Sequence, residues 1–146
     1  MRDTVALAED LRAAIGGLLR IVRTGDILPP GEIAILGYLD RDGPQVIADL
    51  ARRRRVSHQS AAKSVSDLVE RGLVRAEPYA GDRRKRLLRL TDAGSSLVNE
   101  ERHRRADVLG AAIDEALTDA ERAELDRCID LLARLAARVR ESSASH

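Results

Sequence analysis

The sequence predicts a mainly α-helical chain with one small β-hairpin, and three observations carry that reading. Apolar residues recur at helical spacing through most of the 146 positions. The pattern turns strand-like only once, in LVRAEPYAGDRRKRLLRLT, residues 73–91. Helix-start and helix-stop residues punctuate the remainder into six segments. With 44% apolar and 34% charged residues, the chain is one domain-sized globular unit able to bury a core.

The first helix is expected over about residues 4–24, where Ala8, Leu11, Ile15, Leu18 and Val22 make one apolar stripe that ends near Gly25. Pro29 and Pro30 open the second, because a first turn leaves the N–H that proline lacks unpaired anyway. Ile33, Leu36 and Leu39 give its buried face, and Asp42, Gly43 and Pro44 stop it. A short third helix follows at about 47–54. Ser57 caps the fourth, SHQSAAKSVSDLVERG, apolar along Ala61, Val65, Leu68 and Val69, and Gly72 ends it in the left-handed conformation. LVRAEPY and RLLRLT then read as antiparallel strands, with the polar AGDRRK between them carrying the charge at the loop tip. Thr91 and Asp92 cap a fifth helix, 92–116, apolar at Leu97, Leu109, Ala112, Ile113 and Ala116. Its middle, NEERHRR, is polar on all sides and is expected to cross solvent between two packed regions. Thr118 with Glu121 makes a capping box for a sixth helix, whose seam is Leu125, Ile129, Leu132, Leu135 or Ala136, and Val139. The tail ESSASH is expected to fray.

Net charge is +1, but the charge is segregated. Residues 46–91 hold 12 Lys/Arg against 5 Asp/Glu, and the flanks hold 13 against 19. Arginine richness alone says little, since 23 of the 25 basic residues are Arg wherever they fall. Confinement of the excess to one block is the footprint of a nucleic-acid reader. The absence of GKS or GKT, GxGxxG, GxSxG and HExxH leaves nothing to organise catalysis, so the chain reads as no enzyme and calls for no cofactor. No run is long and apolar enough for a membrane span or a signal peptide, which predicts a cytoplasmic protein. A single cysteine, Cys128, excludes an intramolecular disulfide and reads as a small hydrophobe. His58, His103 and His146 lack ligand spacing, and Glu100, His103 and Asp107 read as a solvated stripe, so no metal is expected.

Helix, short turn, helix and basic hairpin is the order of a winged helix-turn-helix, in which the second helix of the pair enters the major groove. On that logic Gln59 can pair with adenine, Lys63 can donate to guanine, and His58 and Ser60, beside the cap Ser57, can contact base edges or phosphate. Arg83, Lys85 and Arg86 read as phosphate contacts, which set affinity and not sequence. Amphipathic helices at both chain ends, with Leu11 and Ile15 in one and Leu125, Ile129, Leu132 and Val139 in the other, have no partner in a 33–91 core, and a symmetric homodimer covers them.

The stretch from Ala48 to Gly94 resembles the MarR family of bacterial transcription regulators. The resemblance lies in Leu50 and Ala51, Leu68, the run Arg71, Gly72, Leu73 and Val74, then Asp82, Arg83 and Arg84, and finally Leu90, Thr91 and Gly94. It implies a dimeric double-stranded DNA-binding regulator, a repressor, on a pseudo-palindromic operator. Residues 1–32 and 92–146 would hold the dimerisation helices, and 33–91 the DNA-binding domain. It implies that Arg84 enters the minor groove from the wing and that Asp82 braces it by a salt bridge. It also implies that any small-molecule effector would sit among the first, second and fifth helices, between aliphatic side chains. Two departures stand out. Arg54 and Arg55 occupy the turn where the family usually has an apolar residue and a glycine, so either the turn is shaped differently or Arg55 accepts a strain of about 1 kcal/mol, with two phosphate contacts as the gain. The fourth helix also lacks a proline after its cap. The competing reading is a winged-helix module for an acidic protein or RNA. RNA is disfavoured because Tyr79 is the one aromatic near the basic block.

Overall fold

In the computed structural model, residues 1–145 are described; His146 lies outside the described residues. The elements run α1 (Thr4–Arg23), α2 (Pro30–Asp42), β1 (Gln45–Val46), α3 (Ile47–Arg54), α4 (His58–Glu70), β2 (Val74–Tyr79), β3 (Asp82–Leu90), α5 (Asp92–Ala116) and α6 (Asp119–Ala144). The chain falls into two units, residues 1–105 and 106–146.

In the first unit the expected openings of α2 and α4 are in place, and Asp3 adds a cap to α1 that was not expected. Asp3 accepts from the Ala6 N–H at the start of α1, Pro30 fills the first turn of α2, and Ser57 Oγ accepts from the Ser60 N–H at 3.0 Å to open α4. Helix α4 ends with Gly72 at φ 74°, where the Gly72 N–H reaches Val69 O and the Leu73 N–H reaches Leu68 O. That is the paired closure which satisfies the last carbonyls of a helix. The core is built from Ile35, Leu36 and Leu39 of α2, Leu50 of α3, Val65 and Leu68 of α4, Val74 and Leu88 of the strands, and Val98 of α5.

The sheet has three strands in the order β1-β3-β2, all antiparallel. The hairpin pairs Val74 with Leu90 through Pro78 with Arg86, and the ladder shifts between Pro78 and Tyr79. Strand β1 was not expected; it pairs Gln45 with Leu88 and Val46 with Leu87, and two residues carry no periodic signature.

The sequence motif around Thr91 joins the hairpin to α5. Thr91 Oγ1 donates to Gly72 O at 2.6 Å and accepts from the Gly94 N–H at 3.1 Å, while the Thr91 N–H donates to Leu73 O at 3.1 Å. A Cβ at Gly94 would run into the Leu73 carbonyl, so only glycine lets the helix approach this closely.

Three expectations need correction. The charge does not lie in a loop, because β3 already begins at Asp82: Arg86 pairs with Pro78, and Arg83, Arg84 and Lys85 fill the shift in the ladder beside the Ala80–Gly81 tip. The NEERHRR stretch does not cross solvent: Glu101 is buried, and Arg104 and Arg105 pair with Asp26 of the α1–α2 loop. The tail does not fray at Glu141, since α6 continues to Ala144 with the hydroxyls of Ser142 and Ser143 bonded back to the carbonyls four residues earlier.

The second unit holds the end of α5 and helix α6, which opens with the reciprocal capping box of Thr118 and Glu121. Along α6 no residue is buried; Leu125, Ile129, Leu131, Leu135 and Val139 are exposed, and Cys128 is exposed as well.

Candidate nucleic-acid interface

The first turn of α4 presents His58, Gln59 and Ser60 to solvent, with Lys63 one turn on. Ser57 spends its hydroxyl on the helix cap, which fixes where that turn begins. Lys63 is 3.4 Å from Asp67, an exposed pair of the kind that holds little energy and leaves the ammonium free to move. On the other side stands β3. Arg83, Arg84, Lys85 and Arg86 are all exposed, and among the described residues Arg83, Lys85 and Arg86 have no ion-pair partner. The two sides meet. A cleft of about 170 Å³ is lined by Val46, Ile47 and Ala48 below and by His58, Arg84, Lys85 and Arg86 around it.

Asp82 meets Arg84 both by the ion pair the resemblance implies and by a backbone hydrogen bond. Its Oδ1 accepts from the Arg84 backbone N–H at 2.9 Å, while the guanidinium Nε lies 3.8 Å away and the side chain is 93% exposed. The carboxylate therefore holds the strand's first turn and leaves the arginine head extended. At the base of the hairpin, Glu77 accepts from Arg89 at 2.8 Å and from Arg75 at 2.9 Å. The Arg89 hydrogen bond holds the Glu77 carboxyl below its ordinary pKa.

The arginine run before α4 divides by direction. Arg52 pairs with Asp49 and Arg53 with Asp42. Arg54 is half-buried, its guanidinium laid over Gly31 at the start of α2 and its Nη1 buried without a hydrogen-bond partner. Arg55 is exposed and sits at φ 54°, ψ 45°, so the turn keeps its glycine-like shape and Arg55 takes the strain. The Val56 N–H to Ala51 O and Arg55 N–H to Arg52 O bonds repeat the closure seen at Gly72.

A second cavity, about 240 Å³, lies among α1, α2 and α5 in the first unit. Ile33, Ala34 and Gly37 line part of it, but so do Arg23, Asp26, Tyr38, Arg41 and Arg105, so its wall is not the aliphatic one expected. Asp26 is fixed by Arg105 at 2.7 Å and Arg104 at 2.6 Å. Burial pushes the Asp26 pKa up, yet the hydrogen bonds with Arg105, Glu101 and Arg104 and the Arg105 charge outweigh it and hold the group below the ordinary aspartate value.

Residues 27–85 match the model of the MarR family. An HTH-type transcriptional regulator of Mycobacterium leprae is 30% identical over 106 residues, covering 70% of this chain and 74% of that one. The chain belongs to the MarR family. Among solved structures, a transcriptional regulator protein from Pseudomonas aeruginosa superposes with a TM-score of 0.76 at 28% identity, over 93% of this chain and 97% of that one. Bordetella bronchiseptica BpsR, whose DNA binding is regulated by 6-hydroxynicotinic acid, shares the fold at a TM-score of 0.57 and 21% identity, over 88% and 98% of the two chains. This MarR-family transcriptional regulator therefore carries its DNA-binding winged helix in α3, α4 and the β2–β3 hairpin. No helix among the described residues is long and apolar enough to cross a membrane.

Of the residues singled out from the sequence, the structure brings His58 of α4 and Arg84, Lys85 and Arg86 of β3 to one cleft, while Ser57, Gln59, Ser60, Lys63, Asp82 and Arg83 do not line it. The sequence did not reveal the Asp26–Arg104–Arg105 cluster, because the partners are up to 79 positions apart and each looks like an ordinary surface charge. The nearest available signal was the pair of adjacent arginines in an otherwise acidic flank.

Proposed function

We propose that this regulator is a homodimeric repressor that binds a pseudo-palindromic operator in double-stranded DNA. The observation that carries the reading is the cleft shared by His58 of α4 and Arg84–Arg86 of β3, which gives one positive surface two arms. In this reading the first turn of α4 enters the major groove. Gln59 and Lys63 address base edges, with His58 and Ser60 at base edges or phosphate, while Ser57 sets the start of the helix. Arg84 extends into the neighbouring minor groove, where phosphates focus negative potential. Arg83, Lys85, Arg86 and Arg55 contact phosphate; Arg54, tucked over Gly31, supports the turn.

Dimerisation rests on the apolar faces. Leu11 and Leu132 are half-buried, and Ile15, Leu125, Ile129 and Val139 are exposed in a single chain, a load of apolar surface that a twofold partner would cover. A twofold protein calls for an inverted-repeat site. Relief by a small acid fits the cavity of Arg23, Arg41 and Arg105, and BpsR, whose DNA binding is regulated by 6-hydroxynicotinic acid, supplies the parallel for an acidic effector.

Selection of duplexes from a random pool, followed by sedimentation of protein alone and with the selected duplex, tests the reading. It predicts an enriched inverted repeat, a dimer in both samples, and dissociation or unfolding of the dimer in Leu132→Asp. A folded monomer at micromolar concentration that enriches nothing would point instead to a protein- or RNA-binding module.

A further inference from the structure

Arg53 lies in a run of four arginines that looks like a phosphate-binding stripe, yet its guanidinium, though 36% exposed, is held by three partners within the protein. Its Nη2 lies 2.6 Å from Asp42 Oδ2 at the end of α2, and its Nη1 donates to Gln45 Oε1 of β1 at 3.1 Å. The plane sits 4.2 Å from the centre of the Tyr38 ring. Gln45 in turn donates from Nε2 to Tyr38 O at 3.1 Å and Gly43 O at 3.3 Å, which fixes the amide that receives Arg53. One side chain thus ties the last turn of α3 to α2 and β1, four residues before the cap of α4. Tyr38 also lines the cavity among α1, α2 and α5, so the ring touches both that cavity and α3.

We propose that Arg53 is a positioning residue for DNA recognition: it clasps α3 to the end of α2 and so sets the angle at which α4 meets the groove, without itself contacting phosphate. The inference rests on the DNA-binding reading above. It follows from geometry and from the difference between arginine and lysine, since a stacked guanidinium that reaches Asp42 and Gln45 with two different nitrogens cannot be replaced by a point charge. A phosphate contact can.

The test is fluorescence anisotropy across a salt series, using a duplex that the wild-type protein selects from a random pool and a scrambled duplex of equal composition. Arg53→Gln, Arg53→Lys and Asp42→Asn are each expected to weaken the selected duplex by about fivefold, leaving the scrambled duplex and the salt slope unchanged. The double variant Arg53→Gln with Asp42→Asn should be no worse than the worse single one, because both remove one interaction. Arg55→Gln, by contrast, should lower the slope by about one on both duplexes. Asp42, 47% exposed, keeps the test open if an Arg53 variant fails to fold. The clasp is overturned if Arg53→Gln lowers the slope, Arg53→Lys restores binding, or Asp42→Asn tightens it as loss of a surface negative charge would. A wild-type protein that selects no duplex overturns the DNA-binding reading, and the clasp with it.

Discussion

Arginines serve opposite purposes at the α5 junction and on the wing. Where α5 meets the α1–α2 loop, Arg104 and Arg105 are mostly buried and share the carboxylate of Asp26, itself 7% exposed, while Glu101 closes the cluster from the same helix. Along β3, Arg83–Arg86 stand in solvent, and Asp82 accepts from the Arg84 N–H at 2.9 Å while lying 3.8 Å from a guanidinium that is 93% exposed. A paired arginine has its hydrogen bonds committed within the fold, and removing its partner leaves a charge stranded. A free arginine adds little to stability but exchanges its counter-ions for a phosphate. Residue type alone does not separate the two; burial and pairing do.

That contrast breaks down if the two sets respond alike to substitution. The largest expected effect is at the junction. Asp26→Ala should lower unfolding free energy by about 3 kcal/mol, because Arg104 and Arg105 lose their common partner. Denaturant unfolding measures it, and the salt slope of DNA binding should not move. The pH dependence has a definite sign. With its folded pKa depressed below the ordinary value of 3.8, Asp26 contributes stability that is present above that value and lost as pH falls through the folded pKa. Asp26→Asn should therefore flatten the acid limb of the stability profile.

Next in size is Arg84→Ala, which should cost about 1 to 3 kcal/mol on the selected duplex and blunt preference for a narrow A·T-rich flank, with the unfolding midpoint unchanged. Titration of flank-swapped duplexes reads this out. Smallest is Arg86→Ala: selected and scrambled duplexes should weaken alike, the salt slope should fall by about one, and stability should stay within about 0.5 kcal/mol.

The same contrast explains what could be read from the sequence. Helix limits at Pro30, Ser57, Gly72 and Thr118 are local chemistry, and each falls where the residue type requires. The α4 and wing residues were legible because a charge excess within a helix–helix–hairpin order is a short-range pattern. Arg55 at positive φ was legible as a question and answered only by the fold, where the Schellman-type closure of α3 holds it. The Asp26 cluster and the Arg53 clasp were not legible. Both depend on which of many arginines meets which carboxylate across the fold, and 23 near-identical side chains give no local clue. Strand β1 and the last turn of α6 escaped for the opposite reason: two residues in the one and two serines in the other are too short a text for periodicity.

The hairpin is either a positioned wing or a generic cationic patch, and Asp82→Ala separates the two most directly. Removing a carboxylate from a DNA-facing surface favours binding on charge alone. Removing the acceptor that holds the Arg84 N–H at 2.9 Å frees the turn that aims the arginine. Anisotropy on selected and scrambled duplexes at several salt concentrations gives the answer. A positioned wing predicts weaker binding to the selected duplex with little change on the scrambled one; tighter binding to both would contradict it.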